Sequence, residues 1–349
     1  MNLMDVLLFQ ERRQLLKLLK GDVEGFNANS KREMVEMLYP KLMNKNELKS
    51  KFQKFSNEAK RIALSLCYDK KLFLSKEELR GYTPRLKESD YQEILNELIS
   101  AGILFSYEAN NFLVPKQIKK ELVRQFKLTI EEDVLILPTL IDENNEIEII
   151  NDLFYFIDIV AEKSLPLTKM GMIHKKDYQQ IMKGFSIKEQ LPNDKWRFGY
   201  GRRFSQYPDR FSLIYDFCFD KGWIKEEAGK LILGQRVEEL FELKLEEFMQ
   251  GLIKYWLKAY KRPIPTIRLL YPLFLELLKE GEGLDENCLI SAFSSFVEPY
   301  YFDQKADIIQ KRFLQMLTYL NIVKKVEVEG ICCYTLGPAK NYVYNTQSL

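Results

Sequence analysis

Histidine is nearly missing from this chain: His174 is the only one in 349 residues. The five cysteines, at 67, 218, 288, 332 and 333, include no Cys-x-x-Cys pair. Zinc sites need clustered Cys and His, and secreted disulfide frameworks need regularly spaced Cys, so neither is expected, and no metal or cofactor is. No stretch approaches the roughly 18 to 20 uncharged apolar residues of a membrane span. The start, Met1-Asn2-Leu3-Met4-Asp5, has no basic region ahead of its apolar run and no small-residue cleavage site after it. The expected location is the cytoplasm, with no membrane partner.

The usual catalytic motifs are missing too. There is no Gly-rich loop ending in Lys-Ser or Lys-Thr, no dinucleotide fingerprint and no Gly-x-Ser-x-Gly elbow. Gly199-Tyr200-Gly201-Arg202 is too short and too basic to serve as one. His174, beside Lys175 and Lys176, is expected at an exposed helix start as a surface or helix-terminal group. Glu131, Glu132 and Asp133 are adjacent acids that point in different directions and do not form a two-metal nuclease site. Glu238, Glu239, Glu242, Glu246 and Glu247 have helical spacing and read as a solvated face. A non-enzymatic protein is expected.

What the chain does contain is one pattern used three times. Counting back from Gly102, Gly222 and Asn321, the positions eight, seven and four residues earlier are Ile94, Leu95 and Leu98; Ile214, Tyr215 and Cys218; and Phe313, Leu314 and Leu317. Each set lies on one helix face. Gly or Asn suits a left-handed helix cap, and the apolar residue beyond it, Ile103, Trp223 or Ile322, can fold back onto the last turn. A hairpin is expected after each stop, turning at Glu108–Asn111, Glu226–Lys230 and Glu327–Gly330. Helix, cap and two-stranded wing form the tail of a winged helix. The expected fold is therefore mainly α with small β-hairpins, as tandem winged-helix-like modules joined by helices.

Apolar residues make up 46% of the chain, enough for several cores without disulfide staples. The pattern divides it into an N-terminal helical segment (1–27), a helical and winged domain (28–130), a middle winged domain with a basic loop (131–235), and a bridging helix with a C-terminal winged domain (236–349). Val134–Pro138 is expected as a strand or buried extended segment. The bridge is expected as one helix over Val237–Tyr260, anchored by Leu240, Leu243, Phe248, Leu252 and Trp256.

Net charge is only +2, yet the charges are segregated. Residues 131–153 carry eight acids and no base, whereas 169–203 carry nine Lys or Arg against three acids. Such contrast can orient a molecule on a polyanion, or can be two solvated surfaces that differ. Between Lys195 and Arg203, positive residues alternate with aromatics and glycine. Lys195, Arg197, Arg202 and Arg203 could meet phosphates while Trp196, Phe198 or Tyr200 stacks on a base; alternatively the aromatics pack the loop down and the charges form its rim. Lys175 and Lys176 precede that loop. Lys311, Arg312, Lys324 and Lys325 fall on the last helix and wing, the parts of a winged helix that approach DNA. Phe198 aside, these twelve residues are the candidate nucleic-acid contacts. Glu88, Asp90, Glu93 and Glu97 occupy the corresponding helix of the first unit, which is expected to bind protein or pack internally.

The stretch Leu165-Pro166-Leu167-Thr168-Lys169-Met170-Gly171-Met172-Ile173-His174-Lys175-Lys176-Asp177 resembles a signature of bacterial proteins with a domain similar to the N-terminal region of XPB-type helicases. The resemblance implies a DNA-linked accessory role, with a helicase or other DNA-processing protein as partner. The helicase motor motifs are absent, so unwinding is not implied. Read from its residues alone, the stretch is a turn and helix start, with Gly171 at the turn and Leu167 and Ile173 anchoring it. The expected function is therefore a non-enzymatic DNA-binding or helicase-associated accessory protein; the alternative is a scaffold whose winged units dock proteins in a replication, repair or defence complex.

Overall fold

A computed structural model describes residues 1–19, 27, 29–69, 71–83, 86–108, 110–130, 134–137, 146–192 and 201–342. The fold is mainly α-helical with small antiparallel sheets. Four helices lead in: α1 (Leu3–Phe9), α2 (Arg12–Leu18), α3 (Lys31–Leu42) and α4 (Lys45–Lys54). The Ser30 side chain caps α3 and that of Asn44 caps α4, as their positions before apolar periodic segments favour.

One element order then recurs three times. The first unit is α5 (Asn57–Tyr68), β1 (Leu74–Ser75), α6 (Lys76–Arg80), α7 (Glu88–Ser100), β2 (Phe105–Tyr107) and β3 (Asn111–Leu113). Helix α8 (Lys116–Leu128) and strand β4 (Val134–Ile136) follow. The second unit is α9 (Glu148–Lys163), β5 (Leu165–Pro166), α10 (Lys175–Gly184), α11 (Asp209–Lys221), β6 (Ile224–Glu227) and β7 (Lys230–Leu233). After α12 (Glu238–Glu242) and α13 (Leu245–Ala259), the third unit is α14 (Ile267–Leu275), β8 (Glu282–Asp285), α15 (Glu286–Phe293), a long helix and the last two strands. That helix starts as α16 (Lys305–Asp307), is π-wound over Ile308–Leu314 and ends as α17 (Gln315–Tyr319); the strands are β9 (Val323–Val328) and β10 (Ile331–Leu336).

In each unit the last strand lies between the other two: β1-β3-β2, β5-β7-β6 and β8-β10-β9. The three hairpins stay in separate sheets, as the repeated offsets predict. Strand β4 joins the third sheet at the free side of β8, with Leu135 opposite Gly283. The expectation for 134–138 is met only in part. Val134–Ile136 is a strand, but it is half-buried only at Val134 and Leu135, and Ile136 at its end faces solvent. Pro138 lies outside the described residues.

The caps repeat at the level of single hydrogen bonds. Gly102, Gly222 and Asn321 have φ of 75°, 74° and 57°. The next N–H reaches back to a carbonyl five residues earlier in all three: Ile103 to Leu98, Trp223 to Cys218 and Ile322 to Leu317, each at 3.0 Å. This is the Schellman closure, which satisfies carbonyls that a helix end otherwise leaves open. The residues at the repeated offsets, and Ile103, Trp223 and Ile322, are all buried. The second and third units share a further feature. The Gly234 N–H donates to Trp223 O (2.7 Å) and the Gly337 N–H to Ile322 O (2.8 Å), and a Cβ at either glycine would lie 2.0 Å from Gly222 O or 2.4 Å from Asn321 O.

The third unit sits between the other two. Phe126 of α8 packs on Phe293 and Phe296, and Arg61 of α5 donates to Ser295 O and Glu298, each at 2.8 Å. Helix α13 spans from the second unit to the third: Phe248 packs on Phe217 and Trp223, and Trp256 on Tyr271 and Phe313. The bridge is not the single helix expected over 237–260. It breaks at Leu243 and Lys244, whose ψ angles of 131° and 150° are extended. A fresh start is available there because the Lys244 N–H donates to the Glu247 carboxylate three residues on (3.2 Å). Leu243, expected as an anchor, is exposed.

Candidate functional site

The stretch singled out by its resemblance is an inserted turn. In the first and third units Ser75 and Asp285, the last residues of β1 and β8, directly cap the next helix. In the second unit residues 167–174 intervene between β5 and α10. Leu167 bridges Ile173, the Thr168 N–H donates to Met172 O (2.7 Å), the Met172 N–H to Thr168 Oγ1 (3.1 Å), and Gly171 takes φ 75°. Any other residue would be strained there, and a Cβ would lie 2.7 Å from the Arg203 guanidinium. The structural reading of this stretch therefore accounts for Leu167, Gly171 and Ile173.

The turn meets the far end of the basic loop. Arg203 donates to Met170 O (3.3 Å), Gln206 Nε2 to the same oxygen (3.4 Å), and the Ile173 N–H to Tyr207 Oη (2.7 Å). Below them, Asp216 of α11 accepts the Arg202 N–H at 2.6 Å and the Arg203 N–H at 3.4 Å. Burial pushes the Asp216 carboxyl up to about 6, against the pull of those two N–H groups. Glu226 on β6 then collects Arg202, Arg203 and the Tyr215 hydroxyl. Burial would raise the Glu226 carboxyl, but the hydrogen bonds from Arg203 and Tyr215 outweigh it and hold it below the usual range. Arg202 also lies 3.7 Å over the Phe219 ring.

The twelve candidate contacts separate into distinct environments. Lys195, Trp196, Arg197 and Tyr200 lie outside the described residues, as do Phe198, Glu131, Glu132 and Asp133. Arg202 and Arg203 share the single Glu226 carboxylate, Arg203 half-buried against it and Arg202 more exposed at 3.3 Å. Arg312, expected as a phosphate contact, is instead buried, bound to Asp303 (2.8 Å) and Asp209 (3.0 Å). It lies on the inner side of the π-wound segment with Ile308, Ile309, Phe313 and Leu314, where the wide turn carries five buried side chains. Lys311 is exposed and pairs with Asp307 (2.7 Å); Lys325 pairs with Glu286 (2.8 Å), and Lys324 is half-buried on β9. Lys175 and Lys176 are exposed in the first turn of α10, behind the exposed His174 at its N-cap.

Helix α10 contributes to a cleft of about 440 Å³ lined by Lys175, Tyr178, Gln179, Lys183, Lys188 and Glu189, among others. Sequence reasoning missed Glu189. Its carboxylate accepts the N–H groups of Arg210 (3.2 Å) and Phe211 (2.9 Å) and so caps α11 from outside that helix. Burial pushes the Glu189 carboxyl up to about 7 despite these bonds. Nearby, Arg210 forms a fully buried ion pair with Asp152 of α9, which also accepts from the Ser186 N–H (2.8 Å) and hydroxyl (3.0 Å). No sequence motif marks either carboxylate, because the partner helices are joined only by the fold.

The third helices of the units differ sharply in access. Every residue of α11 from Arg210 to Cys218 is buried. The last helix leaves only Lys311 and Gln315 fully exposed over 308–319, and it packs on α11 through α17 and through the Arg312–Asp209 pair. Helix α7 alone of the three presents a broad solvent face, and its exposed charges are Glu88, Asp90 and Glu93. Among the described residues no three His, Cys, Asp or Glu side chains gather as metal ligands, and no helix is long and apolar enough to cross a membrane.

No known protein family's sequence profile matches the chain. It is 32% identical over 108 residues to "Uncharacterized protein Lmo1967" of Listeria monocytogenes, a match covering 30% of this chain and 26% of that relative. The chain thus matches about a quarter of the relative's length, and the relative's name states no activity.

Proposed function

We propose that this chain is a non-enzymatic scaffold of three winged-helix-like units that docks protein partners. The observation that carries this reading is the fate of the three helices in the position where a winged helix reads DNA. Two are buried in the fold, α11 against Phe156, Tyr178 and Tyr255 and the last helix against Trp256, Phe274 and Phe293, and the third, α7, exposes Asp90 and Glu93 while its Glu88 pairs with Lys76 and Arg80. A duplex repels such a face, since DNA affinity comes chiefly from neutralising phosphates with Lys and Arg. The runner-up, a DNA-binding or helicase-associated accessory role, draws on one specific observation: Lys169, Lys175, Lys176, Lys183 and Lys188 are exposed and have no ion-pair partner among the described residues.

One experiment separates the readings. A photo-reactive amino acid is placed in living cells at Glu93 on α7 and, in a second strain, at Gln179 on α10. Protein adducts at Glu93 are expected. Adducts to nucleic acid at Gln179 with none to protein at Glu93 would overturn the scaffold reading and restore the DNA-binding one.

A further inference from the structure

The break between α12 and α13 creates an apolar surface that the repeated units do not use. Residues 241–247 are all exposed, and within them Phe241, Leu243 and Leu245 are 65%, 36% and 40% accessible. In an unbroken helix Phe241 and Leu245, four apart, would share a face and Leu243 would point away from both. The extended backbone at Leu243 and Lys244 instead lets all three leave the surface, while Leu240, buried, holds α12 down. The Phe241 ring rests against Phe154, which also stacks on the core residue Phe248, so the patch has a fixed base. Its three side chains sit within five residues, a span of at most about 14 Å.

The rim of this patch states its partner. Residues 238–247 hold five glutamates and one lysine. Glu239 is engaged by Arg236, but Glu238, Glu242, Glu246 and Glu247 have no cationic partner among the described residues. Large apolar side chains ringed by one sign of charge select a partner carrying the opposite sign around its own apolar stripe. The negative rim disfavours an anionic lipid surface, which would otherwise suit exposed Phe and Leu.

We propose that Phe241, Leu243 and Leu245 form a docking site for a basic amphipathic segment of a partner protein. The apolar residues of that segment, spaced three or four apart, seat on the three side chains, and its Lys or Arg residues face Glu238, Glu242, Glu246 and Glu247. The proposal rests on the scaffold reading and gives it a second surface, at the break between α12 and α13.

The test uses the full chain and a fluorescent 14-residue amphipathic peptide of Leu and Lys, with a Leu and Glu peptide of the same pattern as control. The basic peptide binds, and binding weakens with salt. It falls at least ten-fold in the variant Phe241→Ser, Leu243→Ser, Leu245→Ser and in the variant Glu242→Gln, Glu246→Gln, Glu247→Gln. If the first variant unfolds at lower temperature, the double change Leu243→Ser, Leu245→Ser, which leaves the Phe241–Phe154 contact intact, must give the same loss. Unchanged binding in the folded variants, or equal binding of the acidic peptide, overturns the proposal. So does a dimer in sedimentation that the serine variant dissociates, or patch-dependent binding to phosphatidylglycerol vesicles. Failure here together with protein adducts at Glu93 would remove this surface and leave the scaffold reading intact.

Discussion

Replacing Arg312 by Met tests whether this residue holds the molecule together or contacts a ligand. Its guanidinium joins Asp303, nine residues away, to Asp209, at the start of α11 in another unit, and its side chain is 9% accessible. Met has similar length and keeps the apolar packing, so the change isolates the charge. Removing one member of a buried ion pair strands the other, at a cost of about 3 to 5 kcal/mol. The partners, 12% and 16% accessible, retain some hydration, which places the expected loss near the low end, about 3 kcal/mol. Urea unfolding followed by tryptophan fluorescence is a suitable assay, since Trp256 stacks on Phe313 beside the pair. Combining Arg312→Met with Asp209→Asn should cost less than the sum of the single changes, because part of each penalty is the abandoned partner. The same Arg312→Met protein is titrated with duplex DNA at several salt concentrations. A phosphate contact would lower the slope of log affinity against log salt by about 0.9; a structural pair leaves it unchanged. A loss of stability below about 1 kcal/mol with a reduced slope would refute the assignment.

Three further outcomes are expected. Asp216, with its carboxyl raised to about 6, binds a proton in the folded chain over a range where the unfolded chain has released it, so stability should fall as pH rises from about 4 to about 6. Asp216→Asn, whose amide oxygen can still accept the Arg202 N–H, should flatten that part of the pH profile of thermal unfolding; an unchanged slope would count against a buried, protonated Asp216. Gly337→Ala should destabilise by roughly 2 kcal/mol or more, because its Cβ would meet the Asn321 carbonyl, whereas Gly330→Ala, with open space but φ of 80°, should cost only about 1 to 2 kcal/mol. Equal midpoints for the two variants in denaturant would show that the close approach is not needed. Glu226→Gln should release Arg202 and Arg203 and speed proteolysis between 201 and 207; cleavage at the parental rate would show that Glu226 does not hold that segment.

The repeat is legible in residues that lie close along the chain. The left-handed caps at Gly102, Gly222 and Asn321, the apolar face before each and the hairpin after each are local, because cap chemistry and helical periodicity act within about ten residues. The turn at Gly171 was legible for the same reason. The fate of the charged residues was not. Lys311 and Arg312 are neighbours of the same sign, yet one is exposed on Asp307 and the other is buried on an aspartate 103 residues away. Likewise Arg202 and Arg203 look free until Glu226 is folded against them, and Glu189 has no apparent role until α11 places its first N–H groups there. The apolar periodicity of 237–260 continues through Leu243 and gives no sign of a break, yet with Leu240 buried on α12 and Phe248 and Trp256 buried on α13, Phe241, Leu243 and Leu245 are left in solvent. Local hydrogen bonding and periodicity are written in short stretches of sequence, whereas burial and ion pairing depend on which distant surfaces meet, and only the tertiary structure decides that.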